Sequence, residues 1–152
     1  MQSAAVVYLT KNAVVSSAVL LPNKEMVSYL SDFHFGPLSL CAVEMVASYG
    51  MPVGATVFDT CLWAGRFVQA IAVRCPVMLV YRRDVKLHLC GSCRAKDGNV
   101  RQALIDKLGP PGTKAKPGPT YGLKADMWAA LGVAVTVAEI GKALREQGRV
   151  VY

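Results

Sequence analysis

Two carboxylates of this chain lie in apolar surroundings, where they could bind a metal ion. Glu44 follows the apolar stretch of residues 38–43, and Asp126 lies at the start of an apolar helical segment. Burying a carboxylate is costly unless a metal ion, a basic residue or backbone N–H groups compensate its charge. If the fold brings the two acids together, their repulsion favours a divalent cation, and their oxygen ligands favour Mg²⁺ or Mn²⁺.

Each carboxylate also has a purely structural interpretation, which the sequence leaves open. Glu44 at a strand end could reach solvent, and an acid in the first turn of a helix often only complements the helix dipole. The two acids together are therefore more informative than either one alone.

The basic residues are concentrated in one region. Residues 1–73 contain only Lys11, Lys24 and Arg66. Residues 82–124 contain Arg82, Arg83, Lys86, Arg94, Lys96, Arg101, Lys107, Lys114, Lys116 and Lys124. With a formal net charge of +7, this clustering favours a surface that binds the phosphates of a nucleic acid. A solvated basic face is the alternative.

Other candidate sites carry less weight. Cys90 and Cys93 have the spacing of a redox or zinc motif, but they form one pair, and zinc would need two further ligands, of which only His88 is near. The five cysteines are an odd number and scattered, which is typical of a reducing compartment and predicts a cytoplasmic protein. No signal peptide and no uninterrupted apolar run long enough to span a membrane is visible.

The elements that must position the two acids can be predicted from apolar periodicity. Residues 3–9 and 13–21 indicate a β-hairpin, and Asn23 is predicted to cap a short helix with Met26, Val27 and Leu30 inward. Residues 38–43 indicate a strand buried on both faces, with Glu44 at its end. A helix over residues 55–73 and a strand over residues 75–81 then predict a right-handed parallel crossover.

The remaining residues, 82–152, are predicted to be mainly helical. Helices are expected over residues 82–89, 96–108, 123–137 and 137–147. Residues 109–122 contain four prolines and four glycines and are predicted to form a mobile basic loop. The 152 residues, 53% of them hydrophobic, indicate a single domain over residues 1–152.

Four segments resemble the RuvC-type Holliday junction resolvases, particularly their phage-encoded relatives. They are residues 42–51, 80–92, 96–104 and 126–134, in the family's order and spread over nearly the whole chain. The resemblance implies a ribonuclease H-like α/β fold, in which a mixed sheet is flanked by helices. It also implies a homodimer that cuts four-way DNA junctions with the help of two Mg²⁺ ions.

The resemblance assigns roles to particular residues. It implies that Glu44 and Asp126 are catalytic metal ligands and that Lys86 and Lys96 lie near the scissile strand, with Lys96 counted as catalytic. Arg82, Arg83, Lys86 and Lys96 are expected to contact DNA, together with Lys114 and Lys116 on the 109–122 loop. The helix over residues 55–73 is the expected dimer interface because its apolar residues cover more than one face of the helix. No membrane partner is expected.

The chain departs from the family's pattern in two places. The family begins with a central strand ending in Asp-Pro-Gly, and Met1 falls just after the place where that strand would finish. Leu123 and Lys124 stand where many relatives carry a further acid. A truncation, a misplaced start codon or a degenerate nuclease would each explain the first departure. The alternative function is a junction-binding protein without nuclease activity, and we expect this chain to bind junctions but cleave them poorly, with the hairpin edge prone to aggregation.

Overall fold

The N-terminal hairpin is present as predicted. The computed structural model describes residues 1–37, 39–149 and 151–152. Strand β1 (Gln2–Leu9) pairs antiparallel with strand β2 (Val14–Pro22), with Gln2 opposite Pro22 and an irregularity in register between Val7 and Tyr8. The β-branched residues of both strands suit this pleated, half-buried surface.

Helix α1 (Asn23–Asp32) follows directly, but Asn23 does not cap it. Pro22 occupies the cap position, and no side chain caps the helix. Asn23 is instead buried, and its Oδ1 accepts a hydrogen bond of 2.8 Å from the hydroxyl of Ser3. The prediction was wrong because this tertiary partner on β1 takes the side-chain oxygen that a cap would have used. Met26 is buried as predicted.

A parallel pair of strands forms the centre of the fold. Strand β3 (Cys41–Met45) and strand β4 (Val77–Tyr81) are joined through helix α2 (Ala55–Ala72), and Glu44 lies opposite Val80. The parallel pairing is as predicted, and the right-handed sense of the connection stays a prediction. The predicted strand began at Leu38, which lies outside the described residues, and the observed strand begins at Cys41.

The prediction that strand β3 is buried on both faces was wrong. All five of its residues are only half-buried, whereas Val77, Met78 and Val80 of β4 are 0% exposed. The difference arises because, within the described residues, β3 pairs with β4 alone and its other edge faces a groove.

Three helices complete the chain: α3 (Arg82–Cys90), α4 (Asp97–Leu108) and α5 (Met127–Glu146). The sequence predicted two helices after residue 123, but α5 continues without a break through Val137 because Thr136 and Val137 are both buried against the rest of the protein. By length and composition α5 could cross a membrane, yet 56% of its most apolar stretch is buried inside the protein. It is therefore placed as a core helix.

The main hydrophobic core lies between β4, α3, α4 and α5. Met78, Val85, Leu104 and Leu131 are all completely buried there. Packing is tight at Gly132 of α5, where an added Cβ would lie 3.1 Å from the Val85 side chain. This half of the molecule holds α5 in place beside the sheet.

The loop of residues 109–122 contains an isolated β-bridge between Gly112 and Pro117. Hydrogen bonds link Thr113 and Lys116 in both directions, at 3.0 and 3.1 Å, and the buried Thr120 hydroxyl donates to the Gly109 carbonyl at 3.0 Å. The loop thus has internal structure that the sequence did not predict. Its mobility stays a prediction.

Candidate functional site

Glu44 lies at the carboxyl end of β3, and its closest charged partner comes from the neighbouring strand. Because β3 and β4 are parallel, both end at the same edge of the sheet, and α3 begins there with Arg82. The Nη1 atom of Arg82 lies 3.3 Å from Oε1 of Glu44, and the two side chains are 30% and 31% exposed. The remote basic partner that a half-buried carboxylate requires is therefore Arg82.

Asp97 joins this site, and the sequence reasoning missed it. Arg82 Nη2 donates to Asp97 Oδ1 at 2.6 Å, and Lys86 Nζ lies 3.7 Å from the same oxygen. Asp97 opens helix α4 beside Lys96, in a polar segment where an acid suggests only a helix-dipole interaction. The one sequence signal was its position among basic residues.

The pKa values connect Glu44 to both other acids. Burial raises the pKa of Glu44 above its ordinary value, Arg82 opposes this, and the negative charges of Asp97 and Asp126 raise it further. The hydrogen bond from Arg82 lowers the pKa of Asp97, although slight burial opposes it. The negative charges of Asp97 and Asp126 therefore both act on Glu44.

Asp126 lies immediately before α5 rather than inside its first turn. Its carbonyl oxygen accepts the N–H of Ala130 at 2.9 Å, but its exposed side chain makes no capping hydrogen bond. Ala125 before it has a positive φ of 45°, which turns the chain sharply into the helix. The carboxylate lines the same groove as Glu44 and Arg82.

Two carboxylates are few ligands for the two Mg²⁺ ions that the resemblance implies. Mg²⁺ is often held by one or two carboxylates, with water and substrate phosphates filling its octahedron. Among the described residues, no group of three or more His, Cys, Asp or Glu side chains is placed to hold a metal. Glu44 and Asp126 line the same groove, and whether they bind a metal stays a prediction.

The predicted DNA-binding residues fall into two groups. Arg82 and Lys86 lie next to Asp97, as described above, so phosphate binding by Arg82 would have to compete with its ion pairs. In the described part of the chain, the other predicted DNA-binding residues form no ion pair and are exposed: Arg83, Lys96, Lys114 and Lys116. Their contact with DNA stays a prediction.

Other basic residues of the cluster have structural roles. Arg101 stacks on the Trp128 ring, 4.8 Å from its centroid. Lys107 and His88 both contact Glu139, at 2.8 and 2.6 Å. The count of positive charges therefore overstates the surface available to a polyanion. Cys90 and Cys93 are free thiols, and no described ligand set joins them.

A groove of about 1280 Å³ runs from this site across the molecule. Strand β1 forms one wall and β3 the other. Helix α5 contributes mainly small residues, and α1 and α2 contribute aromatic and aliphatic ones. Glu44, Arg82 and Asp126 are part of its lining.

Several solved chains share this fold. RuvC of Thermus thermophilus superimposes with a TM-score of 0.62 at 18% sequence identity, over 100% of both chains. T. thermophilus RuvC in complex with a Holliday junction substrate gives a TM-score of 0.54, also at 18% identity, over 94% of this chain and 96% of that one. No family model and no curated protein sequence matches this chain. The structural likeness confirms the predicted ribonuclease H-like α/β fold.

Proposed function

We propose that this protein is a divalent-metal-dependent endonuclease acting on four-way DNA junctions. The observation that carries the proposal is the placement of Glu44 and Asp126 in one groove, beside the basic start of α3 and α4. RuvC, which has the same fold, has been solved in complex with a Holliday junction substrate. Fold alone does not fix function, so the acids and the basic surface carry the argument.

Glu44 and Asp126 would hold Mg²⁺, or Mn²⁺ in its place. When bound, such an ion would supply an activated water and would stabilise the leaving oxygen of a phosphodiester. Before metal binds, Arg82 compensates the half-buried charge of Glu44 and orients its carboxylate. Metal binding requires ionised carboxylates. Because burial raises the pKa of Glu44, metal binding should weaken at a higher pH than it would for a carboxylate with the ordinary pKa.

The exposed basic residues would hold the DNA by its phosphates. Lys96 precedes α4 and its main-chain N–H donates to Asn99 Oδ1 at 2.9 Å, which fixes the backbone from which its side chain extends. Lys96 and Arg83 would lie nearest the cut strand, and Lys114 and Lys116 would reach the junction from the loop. Such contacts predict a steep fall of affinity with salt.

Helix α2 offers a surface for the homodimer that paired cuts on a two-fold symmetric junction require. Phe58 and Leu62 of α2 are each 63% exposed and lie four residues apart, on one side of the helix. Exposed apolar side chains of this size in a row suit a self-complementary interface. Sedimentation that showed only monomer at micromolar concentration would contradict this part of the proposal.

A junction-binding protein without nuclease activity is the second candidate. It is favoured by the small number of acids at the site and by the Arg82–Glu44 ion pair, which a metal would have to displace. We also infer that the central strand expected from the resemblance is not among the described residues. The unpaired edges of β1 and β3, which face the same groove, support this.

Junction cleavage and junction binding separate the two candidates. The native chain, Glu44→Gln and Asp126→Asn are incubated with a labelled four-way junction in Mg²⁺ and in Mn²⁺, and binding is measured in parallel without metal. For a nuclease, each substitution should reduce cleavage by about a hundredfold or more while binding persists. Glu146→Gln, at the far end of α5, is the matched control and should cleave normally.

The outcomes are distinct. Binding without cleavage by the native chain in either metal would establish the second candidate. Cleavage that survives both Glu44→Gln and Asp126→Asn would show that the acids are not the metal ligands. Absence of junction binding would rule out both.

A further inference from the structure

The guanidinium of Arg82 is shared unequally between two carboxylates. Its Nη2 atom donates to Oδ1 of Asp97 at 2.6 Å, whereas its Nη1 atom lies 3.3 Å from Oε1 of Glu44. Hydrogen bonds between a charged nitrogen and a carboxylate are usually about 2.7–2.9 Å long. The contact with Asp97 is therefore the stronger one, and the contact with Glu44 is the one that another acceptor can replace more readily.

Asp97 is not needed to cap helix α4. The main-chain N–H of Lys96 donates to Oδ1 of Asn99 at 2.9 Å, so Asn99 satisfies the start of this helix. The Asp97 side chain is 75% exposed and needs no cation to compensate for burial. Its Oδ1 atom instead lies against two cations of α3, Arg82 and, at 3.7 Å, Lys86. The side chain of Asp97 is thus directed at Arg82 rather than at its own helix.

Glu44 depends on Arg82 only as long as its carboxylate is charged and has no other cation. The Glu44 side chain is 31% exposed, and in the described part of the chain Arg82 is the basic side chain that forms an ion pair with it. A proton or a bound cation on Glu44 would take over this compensation. Arg82 would then keep its contact with Asp97, and its Nη1 atom would be free to donate to another acceptor.

The freed side of Arg82 lies among cations that suit a polyanion. Arg82 is the first residue of α3, the exposed Arg83 follows it, and the exposed Lys96 precedes Asp97 at the start of α4. The five N–H donors of a guanidinium lie in one rigid plane and match the oxygens of carboxylates and phosphates. One guanidinium can therefore bind Asp97 on one side and a phosphate on the other.

We propose that Arg82 exchanges Glu44 for one phosphate of the bound DNA, and that Asp97 is the positioning residue that holds the guanidinium throughout the exchange. This inference rests on the proposed function, because the phosphate belongs to the junction. It deepens that function in two respects. Arg82 adds to DNA binding only after Glu44 releases it, and Asp97, an acid whose charge alone would repel DNA, supports the binding.

A surface ion pair without a role in DNA binding is the alternative. Exposed ion pairs usually contribute little to stability. Asp97→Asn would then do no more than remove a negative charge that repels the phosphates, and it would leave Arg82 able to act as before. The two alternatives therefore predict different results when Asp97→Asn is combined with a change that releases Arg82.

The test measures the binding of a labelled four-way junction to the full chain without metal, at several salt concentrations. Glu44→Gln removes the charge that holds Nη1 of Arg82 and so represents the exchanged state without a metal ion. It should bind the junction on the order of tenfold more tightly than the native chain at low salt, because one charge-assisted contact is added. The slope of log K against log salt should steepen by about 0.9, the value for one further phosphate.

Both gains should require Arg82 and Asp97. With Arg82→Gln, the change Glu44→Gln should raise affinity by no more than about twofold, the effect of the lost charge alone, and should leave the slope unchanged. With Asp97→Asn, most of the tenfold gain should be lost. Asp106→Asn is the matched control, since it makes the same change in an exposed side chain of α4 that contacts Gln102, and it should leave the gain intact. Asp97 is exposed, so Asp97→Asn tests the inference even if Arg82→Gln is unstable.

Three results would overturn the inference while the proposed function stands, because the junction is still bound in each of them. One is an equal gain from Glu44→Gln with and without Asp97→Asn. Another is a gain that persists with Arg82→Gln, and the third is no gain from Glu44→Gln in the presence of both partners. If no variant and not the native chain bound the junction, the proposed function would fail, and this inference would fail with it.

Discussion

Strands β3 and β4 are hydrogen-bonded neighbours of equal length, yet they have different roles. In β4, Val77, Met78 and Val80 are 0% exposed, whereas no residue of β3 is fully buried. Strand β4 has β3 on one side and an isolated bridge to Val151 on the other, and β3 faces the groove. The two strands therefore owe their different burial to their neighbours as well as to Glu44, the one charged residue in either strand.

The proposed metal ligand Glu44 belongs to β3, the strand that faces the groove. At Glu44, Arg82 and partial solvent exposure compensate the charge of the carboxylate. Val80, its partner across the strand pair, is 0% exposed in the core, where a carboxylate would be left without compensation. The less complete packing of β3 is therefore what allows a carboxylate in the centre of the fold.

The largest effect is expected from truncating matched methionines on the two strands. Met78→Ala in β4 should lower the free energy of unfolding by about 2–5 kcal/mol, because a completely buried side chain leaves a cavity. Met45→Ala in β3 should cost less than half as much, since Met45 is only half-buried. Urea unfolding of both variants measures the difference, and equal losses would show that β3 packs as fully as β4.

A smaller difference should separate the two faces of α5. Gly132→Val places a side chain against Val85 and Val100 and should destabilise the protein by about 1–3 kcal/mol through overpacking. Ala130→Val adds a side chain that lines the open groove and should change stability by no more than about 0.5 kcal/mol. Thermal unfolding tests both, and a large loss for Ala130→Val would mean that the groove is closed in solution.

The smallest effect is a pH dependence of stability at Glu44. Because burial, Asp97 and Asp126 raise its pKa against the effect of Arg82, the ionised carboxylate destabilises the folded state. That cost is present above the folded pKa and disappears below the ordinary value of 4.5. Glu44→Gln should therefore be more stable than the native protein at pH 7, with the difference vanishing as the pH falls below 4.5.

Glu139 provides the control of opposite sign. Burial alone would raise its pKa, but hydrogen bonds from Lys107 and His88 outweigh burial and lower it. Its ionised form stabilises the folded state at neutral pH, and this stabilisation is lost as the pH falls through the folded pKa. Glu139→Gln should thus be less stable than the native protein at pH 7. The same sign for both variants would contradict the pKa directions.

Local sequence predicted the secondary structure elements better than it predicted their tertiary contacts. The hairpin, the parallel crossover and helices α2 to α4 follow from periodicity and turn residues, which act over a few positions. The capping role of Asn23 and the break at Val137 were predicted wrongly, because Ser3 and the core, respectively, determine those positions from a distance. Asp97 was missed because its partner Arg82 lies 15 residues away on another helix.

The sequence by itself determined that Glu44 and Asp126 stand in apolar segments, that basic residues cluster after residue 81, and that the motifs resemble one nuclease family. These are properties of composition and spacing, and they do not depend on how the chain folds. The tertiary structure alone decided that Arg82 neutralises Glu44, that Asp97 joins them, and that β1 and β3 face each other across an open groove. Ion pairs and unpaired edges depend on which distant segments meet, and the hydrophobic core around α5 determines that arrangement.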